Sequence, residues 1–216
     1  MRIGTWNLAG RWDDRHARLM LGEDCDVWML TEVSEDLALV GYMKHETVER
    51  MAPVRSWAAI ISRAPLSGLP DPHPASVLAT VGDLTFCSSV LPWRSCPAAG
   101  PWVGNRHADK TKAAVEDLLR TLPKGGLVWG GDWNHAMTGR EYVGSHQGRA
   151  SLLEAVALLG LQVPTAGLPH RLPGLLSIDH IAVSSSFTVI GSRRVVANTD
   201  GARLSDHDAY VIEVPG

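Results

Sequence analysis

Short apolar runs bounded by turn residues dominate the chain. Residues 2–8, 26–31 and 54–62 are strand candidates; the first reaches Asn7, and DVWMLT at 26–31 reads as a buried strand that stops at Glu32. Residues 76–81 and 84–90 are joined by Gly82-Asp83, which predicts a tight hairpin. Further strands are expected at 127–131, 177–184, 187–197 and 209–214. Helical spacing is confined to three places. Residues 13–21 have an acidic start and a helical pattern. Residues 108–122 place Ala113, Val115, Leu118, Leu119 and Leu122 on one face before Pro123 and Gly125-Gly126 stop the helix. Residues 149–159 form the last, ended by Gly160. Between them, 92–106 is rich in Pro, Gly and Trp and has no regular period.

Many strands, few helices and several hairpins favour an α+β layered sandwich over a regular parallel βαβ series. No internal repeat or low-complexity linker divides the chain, so residues 1–216 are read as one domain. Composition adds limits. Hydrophobic residues make up 45% and charged residues 20%, ordinary values for a globular protein. The net charge of -3 removes any global basic field, although 20 Lys and Arg still allow a local basic face. The 3 cysteines, Cys25, Cys87 and Cys96, lack CxxC spacing, which argues against a disulfide framework or structural zinc. No signal peptide is visible and no apolar run approaches a membrane span. A monomeric cytoplasmic protein is the expectation.

The polar residues at the strand ends change this bland picture. Asn7 follows one strand, Glu32 the next, and Asp132 and Asn134 follow 127–131 in the stretch GGDWNHAM. Asp179-His180 lie inside an apolar run, and Asp206-His207 precede the final strand. Each has an ordinary reading taken alone: Asn7 as a turn former, Glu32 as a cap, Gly-Gly-Asp as a turn. Asp179 is the exception, because a carboxylate among Leu, Ile and Val must be paired or coordinated. If the strands share a sheet pair, four carboxylates, two amides and a histidine converge at one rim. Such carboxylates repel one another in a low dielectric, and a hard divalent cation with oxygen ligands, Mg²⁺ or Mn²⁺, would relieve that.

The ordered motifs TWNL (5–8), LTEV (30–33), GGDWN (130–134), SIDHI (177–181) and SDHDAY (205–210) resemble those of the endonuclease/exonuclease/phosphatase superfamily, the DNase I-like fold. The resemblance implies a four-layer α/β/β/α sandwich of two packed, mostly antiparallel mixed sheets. It also implies roles. Glu32 resembles the metal-binding glutamate, Asn7 the asparagine beside it, and Asp206 an acid supporting a metal position. Asp132 resembles the residue that orients or deprotonates the attacking water. Asn134 resembles the amide that holds a phosphate oxygen or that water, and His207 the histidine on the scissile phosphate, with Asp179 as its partner. The activity implied is a Mg²⁺- or Mn²⁺-dependent phosphodiester hydrolase, foremost a nuclease on DNA or RNA. A phosphatase or phosphodiesterase on a small nucleotide, inositol phosphate or lipid head group is the second reading, and a silent binding module the third.

The chain departs from the family pattern at SSVLPWRS, residues 88–95, where many members carry a His or Tyr before the long helix. Trp93 and Arg94 are the nearest substrate-binding candidates there; Arg94 could grip a phosphate by its planar fork. His107 is a weaker substitute. His135, in a loop, could reach the substrate, whereas His180 should point away from Asp179 because neighbours on a strand face opposite ways. Arg140, Arg149, His170 and Arg171 could form a basic rim. Trp6, Trp28 and Trp129 should be core, while Trp93 and Trp102 could meet a base.

Overall fold

The computed structural model describes residues 1–199 and 201–215. Two mixed sheets lie face to face. The first has β1 (Arg2–Asn7), β2 (Val27–Ser34), β3 (Met43–Glu46), β4 (Arg50–Ala52), β5 (Arg55–Ser62), β12 (Gly191–Val195) and β15 (Ala209–Glu213). Its order is β12-β15-β1-β2-β5-β3, with β4 also on β5. The second has β6 (Leu66–His73), β7 (Ser76–Val81), β8 (Leu84–Val90), β9 (Leu127–Asp132), β10 (Leu161–Gln162) and β11 (Asp179–Ser184), ordered β10-β11-β9-β8-β7-β6. A small hairpin pairs β13 (Asn198–Thr199) with β14 (Ala202–Arg203). Each large sheet has one parallel pair, β1–β2 and β8–β9, among antiparallel neighbours.

Side-chain alternation along the strands fills three apolar layers. Ile3, Met29 and Ile60 of the first sheet meet Phe86, Val128 and Ile181 of the second between the sheets. Helix α1 (Asp14–Glu23) covers the outer face of the first sheet through Met20, against Trp6 and Trp28. Helices α2 (His107–Thr121) and α3 (His146–Leu158) cover the second, with Leu118 and Leu152 against Trp129 and Trp133. The four-layer order expected from the resemblance is thus present. Asp13 caps α1 by accepting from Arg15 and His16 backbone N–H groups, and Ser145 caps α3 by accepting from Gly148 N.

Differences from the sequence reading have local causes. Helix α3 starts three residues earlier than the 149–159 expected, because the Ser145 cap precedes a stretch with no apolar period. Strand β6 runs through Pro70 and Pro72, which is tolerated because it is the edge of its sheet. The run 187–197 is a strand only over Gly191–Val195, an edge strand held by β15 alone.

Glycine sets the spacing of the sheets where β9 ends. A Cβ at Gly130 would collide with the Met29 side chain of the facing sheet, and one at Gly131 with the Ser89 backbone of β8. Gly131 also has a φ of 119°, which disfavours any L side chain. Strand β9 is therefore bare backbone where it faces β2 of the other sheet and lies beside β8 of its own, just before Asp132.

Candidate active site

The last residues of β1 and β9, the first residue of β11, the loop before β15 and Glu32 meet at one end of the sandwich; β2 runs on past Glu32 to Ser34 rather than stopping there. In the β9–β11 register, Asp132 and Asp179 are direct cross-strand partners. Two facing carboxylates repel, and both are buried, so something must compensate them. His207 does this. Its Nδ1–H donates to Asp179 Oδ2 at 2.8 Å, and its Nε2 stands 4.0 Å from Asp132 Oδ2. Burial alone would pull the His207 pKa down, but Asp179 and Asp132 outweigh it and raise the imidazole to about 10. The ring is therefore a cation at neutral pH. The Asp132 pKa is raised as well, above that of a free carboxylate, by burial first and then by the charge of Asp179.

The loop carrying His207 is anchored to β1. Ser205 Oγ donates to Asn7 O at 2.6 Å and accepts from His207 N at 3.1 Å, while Trp6 Nε1 donates to His207 O at 3.2 Å. Behind it, the buried Asp208 carboxylate accepts from Ala197 N and pairs with Arg203 at 2.6 Å and Arg194 at 3.2 Å. That second acid of SDHDAY is a strut for the loop.

Asn7 joins the two sheets. It is fully buried, and its Nδ2 donates to Glu32 Oε1 at 3.1 Å and to Asp132 Oδ2 at 3.0 Å. Glu32 has a left-handed backbone, φ 48°, which breaks the strand alternation locally. Asn134 shares this conformation at φ 54°; its N–H donates to Asp132 Oδ1 and its Nδ2 to Leu91 O, at 3.0 and 2.9 Å. The Asn134 turn thus closes on the Asp132 carboxylate, with Trp133 buried on the far side.

Glu32, Asp132, Asn134, Asp206 and His207 all line one cavity of about 400 Å³. Of the substrate-binding candidates, Trp93 and Arg171 line it as well. His135 and Arg94 do not belong to its lining, and the reasons are physical. His135 is fully buried, with Nδ1 on Trp133 O at 2.8 Å and its ring stacked on His107 at 5.1 Å. Arg94 turns its guanidinium onto the Gly144 carbonyl, at 3.2 and 2.8 Å. His107 is held by Ser145 Oγ and Pro92 O, at 3.0 and 2.9 Å. Trp102 is buried in edge-on contact with Trp57 and Trp93 rather than open to a base. Arg149 pairs with the buried Glu141 at 3.2 Å. His180 points away from the cavity, bonded to His135 O at 2.9 Å.

The cavity wall also contains residues that the strand-end pattern does not reveal. Tyr142, Val143, Leu172 and Ile178 form its apolar side, beside the rim candidate His170. Tyr142 donates to Leu176 O at 3.1 Å and packs on His170 at 5.4 Å. The one signal in the sequence was an aromatic residue in the polar loop TGREYVG, residues 138–144, soon after GGDWN.

The donor set suits a hard cation. Glu32 and Asp132 offer carboxylate oxygens on either side of one Asn7 amide, and Asp179 Oδ1 is buried without a hydrogen-bond partner among the described residues. Asp132, Asp179 and His207 also place ligand atoms within 4.8 Å of one another. Because His207 is a cation engaged by Asp179, the carboxylates are the better ligands for a second positive charge; Asn7, expected beside the metal, turns its Nδ2 donor to Glu32 and Asp132 while its Oδ1 accepts from Ala9 N at 2.8 Å.

Comparison with known proteins gives three results. The sequence profile described as the Endonuclease/Exonuclease/phosphatase family matches residues 4–207. No curated protein matches the chain. Solved structures are similar over nearly the whole chain. An AP endonuclease from Archaeoglobus fulgidus has a TM-score of 0.74 and 14% identity, covering 99% of each chain. A 3' phosphatase, NExo, from Neisseria, in a variant form bound to product DNA hairpin, has a TM-score of 0.72 and 18% identity, covering 100% of both. The endonuclease domain of TRAS1, a telomere-specific non-LTR retrotransposon, has a TM-score of 0.72 and 15% identity, covering 99% of this chain and 97% of that one.

Proposed function

The chain belongs to the endonuclease/exonuclease/phosphatase family, and from that premise we propose that it is a divalent-metal-dependent phosphodiester hydrolase whose substrate is nucleic acid. The observation that carries this is the His207 imidazolium held between Asp179 and Asp132 in the cavity that Glu32 also lines. We read residues 1–216 as one catalytic domain.

Glu32 and Asp132 would hold Mg²⁺ or Mn²⁺, with Asn7 fixing the two carboxylates through its Nδ2 and Asp206 as a further acid lining the cavity. Such an ion supplies charge neutralisation to the phosphate oxygens when bound. The chain's own groups do the rest. Asp132, with its raised pKa, accepts the proton of the attacking water, and the Asn134 turn fixes that carboxylate. His207 offers its Nε2–H to a phosphate oxygen as charge develops in the transition state, and Asp179 holds the ring in the doubly protonated form. Arg171 adds a cation at the entrance, and Trp93 an aromatic wall for a sugar or base.

A second reading has its own support. The wall of Tyr142, Val143, Leu172 and Ile178 makes one side of the cavity apolar and compact, which suits a terminal sugar phosphate. The similar Neisseria structure is a 3' phosphatase on a DNA hairpin. Phosphate release from a 3'-phosphorylated oligonucleotide would therefore use the same groups.

The deciding experiment is a metal-dependence assay on plasmid DNA, single-stranded DNA and RNA, 3'-phosphorylated oligonucleotides and small phosphoesters, with Asp132→Ala as control. Hydrolysis that needs Mg²⁺ or Mn²⁺ and disappears in the variant is expected. Equal turnover in chelator, or in Asp132→Ala, would remove the proposal.

A further inference from the structure

Glu32 has a partner that the mechanism above leaves unused. Arg55 Nη1 donates to Glu32 Oε2 at 3.0 Å, while the Asn7 amide takes Oε1 at 3.1 Å. The contact is set by the backbone. The β2–β5 register pairs Ser34 with Arg55, so Glu32 lies on the diagonal from Arg55, within reach of a long side chain. The first loop makes room for the guanidinium: Gly10, at φ 68°, lies so close that a Cβ there would collide with Arg55 Nε, Nη2 and Cζ. Gly10 N in turn donates to Glu32 O at 2.8 Å, so one turn shapes both members of the pair. Both side chains are largely shielded, 33% and 21% exposed.

An arginine cannot lose its charge in a protein. A permanent cation on one oxygen of Glu32 therefore stabilises that carboxylate beside Asp132, and it opposes any second cation that approaches the same carboxylate. We propose that Arg55 is a built-in counter-cation that competes with the divalent ion for Glu32 and thereby sets the affinity of the site for that ion. This rests on the reading that Glu32 is a metal ligand. Arg55 is a positioning residue: it acts through Glu32, and it keeps the acid cluster folded without committing the site to tight metal retention.

The test is Mn²⁺ binding to the whole protein, followed by paramagnetic resonance of the free ion and by calorimetry, without substrate. Arg55→Gln and Arg55→Met should bind Mn²⁺ about ten-fold tighter than the parent, the order expected when one charge is removed near a divalent ion in a water-like dielectric. Arg55→Lys, which keeps the charge, should stay within about two-fold of the parent by the same argument. In chelator the two neutral variants should melt below the parent, and Mn²⁺ should raise their melting temperatures by more than it raises the parent's. A purely structural role predicts lower melting temperatures with unchanged or weaker metal binding, and that result would overturn the proposal. Glu32→Gln separates the two levels. Loss of binding in Glu32→Gln with unchanged binding in the Arg55 variants rejects Arg55 alone. Wild-type binding in Glu32→Gln rejects the assignment of Glu32, and the Arg55 proposal with it.

Discussion

Asp179 and His207 form a pair across the end of the second sheet, Oδ2 to Nδ1 at 2.8 Å, and the other nitrogen of the ring faces Asp132 at 4.0 Å. Two acids that should repel are held opposite one another by one imidazolium. Removing the partner should remove the charge. Asp179→Asn is expected to lower turnover by about 100-fold or more, in the range of lost acid–base or electrostatic assistance. A ring-proton titration should show the His207 pKa falling from its raised value towards or below that of free histidine. An unchanged titration would deny Asp179 its role.

Asn7 should matter for stability as well as activity. In Asn7→Ala, Glu32 and Asp132 lose their shared donor, leaving Glu32 to Arg55 and Asp132 to the Asn134 N–H and His207. Each hydrogen bond to a charged group is worth about 1.5–3 kcal/mol, so a loss of about 3 kcal/mol is expected in chelator. Mg²⁺ should restore part of it. Urea melts with and without the ion measure both quantities, and equal destabilisation in the two conditions would contradict a shared metal site.

Arg171 and Arg94 make a contrasting pair. Arg171 lines the cavity, whereas Arg94 is bonded to the Gly144 carbonyl. Arg171→Ala should raise KM for an oligonucleotide by roughly ten-fold and reduce its salt dependence by about one phosphate contact. Arg94→Ala should leave KM near the parent value and lower the melting temperature. The reverse pattern would return Arg94 to the substrate.

Buried histidines predict an acid limit to the fold. Burial lowers the pKa of both His73 and His180 to about 4. Each is neutral when folded and binds a proton more readily when unfolded, so stability is full at neutral pH and falls as pH drops from about 6.5 towards 4. The loss should reach about 3 kcal/mol per histidine at the acid end. Replacing His73 by Gln should flatten this slope in chemical denaturation at stepped pH; an unchanged slope would assign the acid sensitivity elsewhere.

Much of the site could be read from the sequence because its acids and amides stand where strands end. Asn7, Glu32, Asp132, Asn134, Asp206 and His207 are all brought to one end, and Asp179 betrays itself as a charge in an apolar run. Alternation along β11 also put His180 on the face away from Asp179. His135 illustrates what local pattern leaves out. A polar residue in a loop after β9 looks accessible, yet α2 and α3 close over it, with Gly144 and Gly148 against its ring. Arg94 is similar, since its carbonyl partner is 50 residues away in sequence. Arg55 sits in a strand that reads simply as core, and only the pairing of β5 with β2 brings it to Glu32. Strand β6 was hidden because proline argues against a strand until the strand is known to be an edge.

The bare backbone at Gly130 and Gly131 has a consequence for the precision of the site. At Gly130 the Met29 side chain and the His180 carbonyl come up against the bare backbone of β9, and at Gly131 the Ser89 backbone does. The gap between the acids of the two sheets is therefore set by peptide backbone on the β9 side and by one thioether side chain on the β2 side. Fluctuations in the surrounding core can be absorbed by side chains elsewhere while Asn7 keeps both Glu32 and Asp132 in reach. An alanine at residue 130 would press on the Met29 side chain and the His180 carbonyl and so act as a shim: it would widen the gap and detune the whole constellation at once.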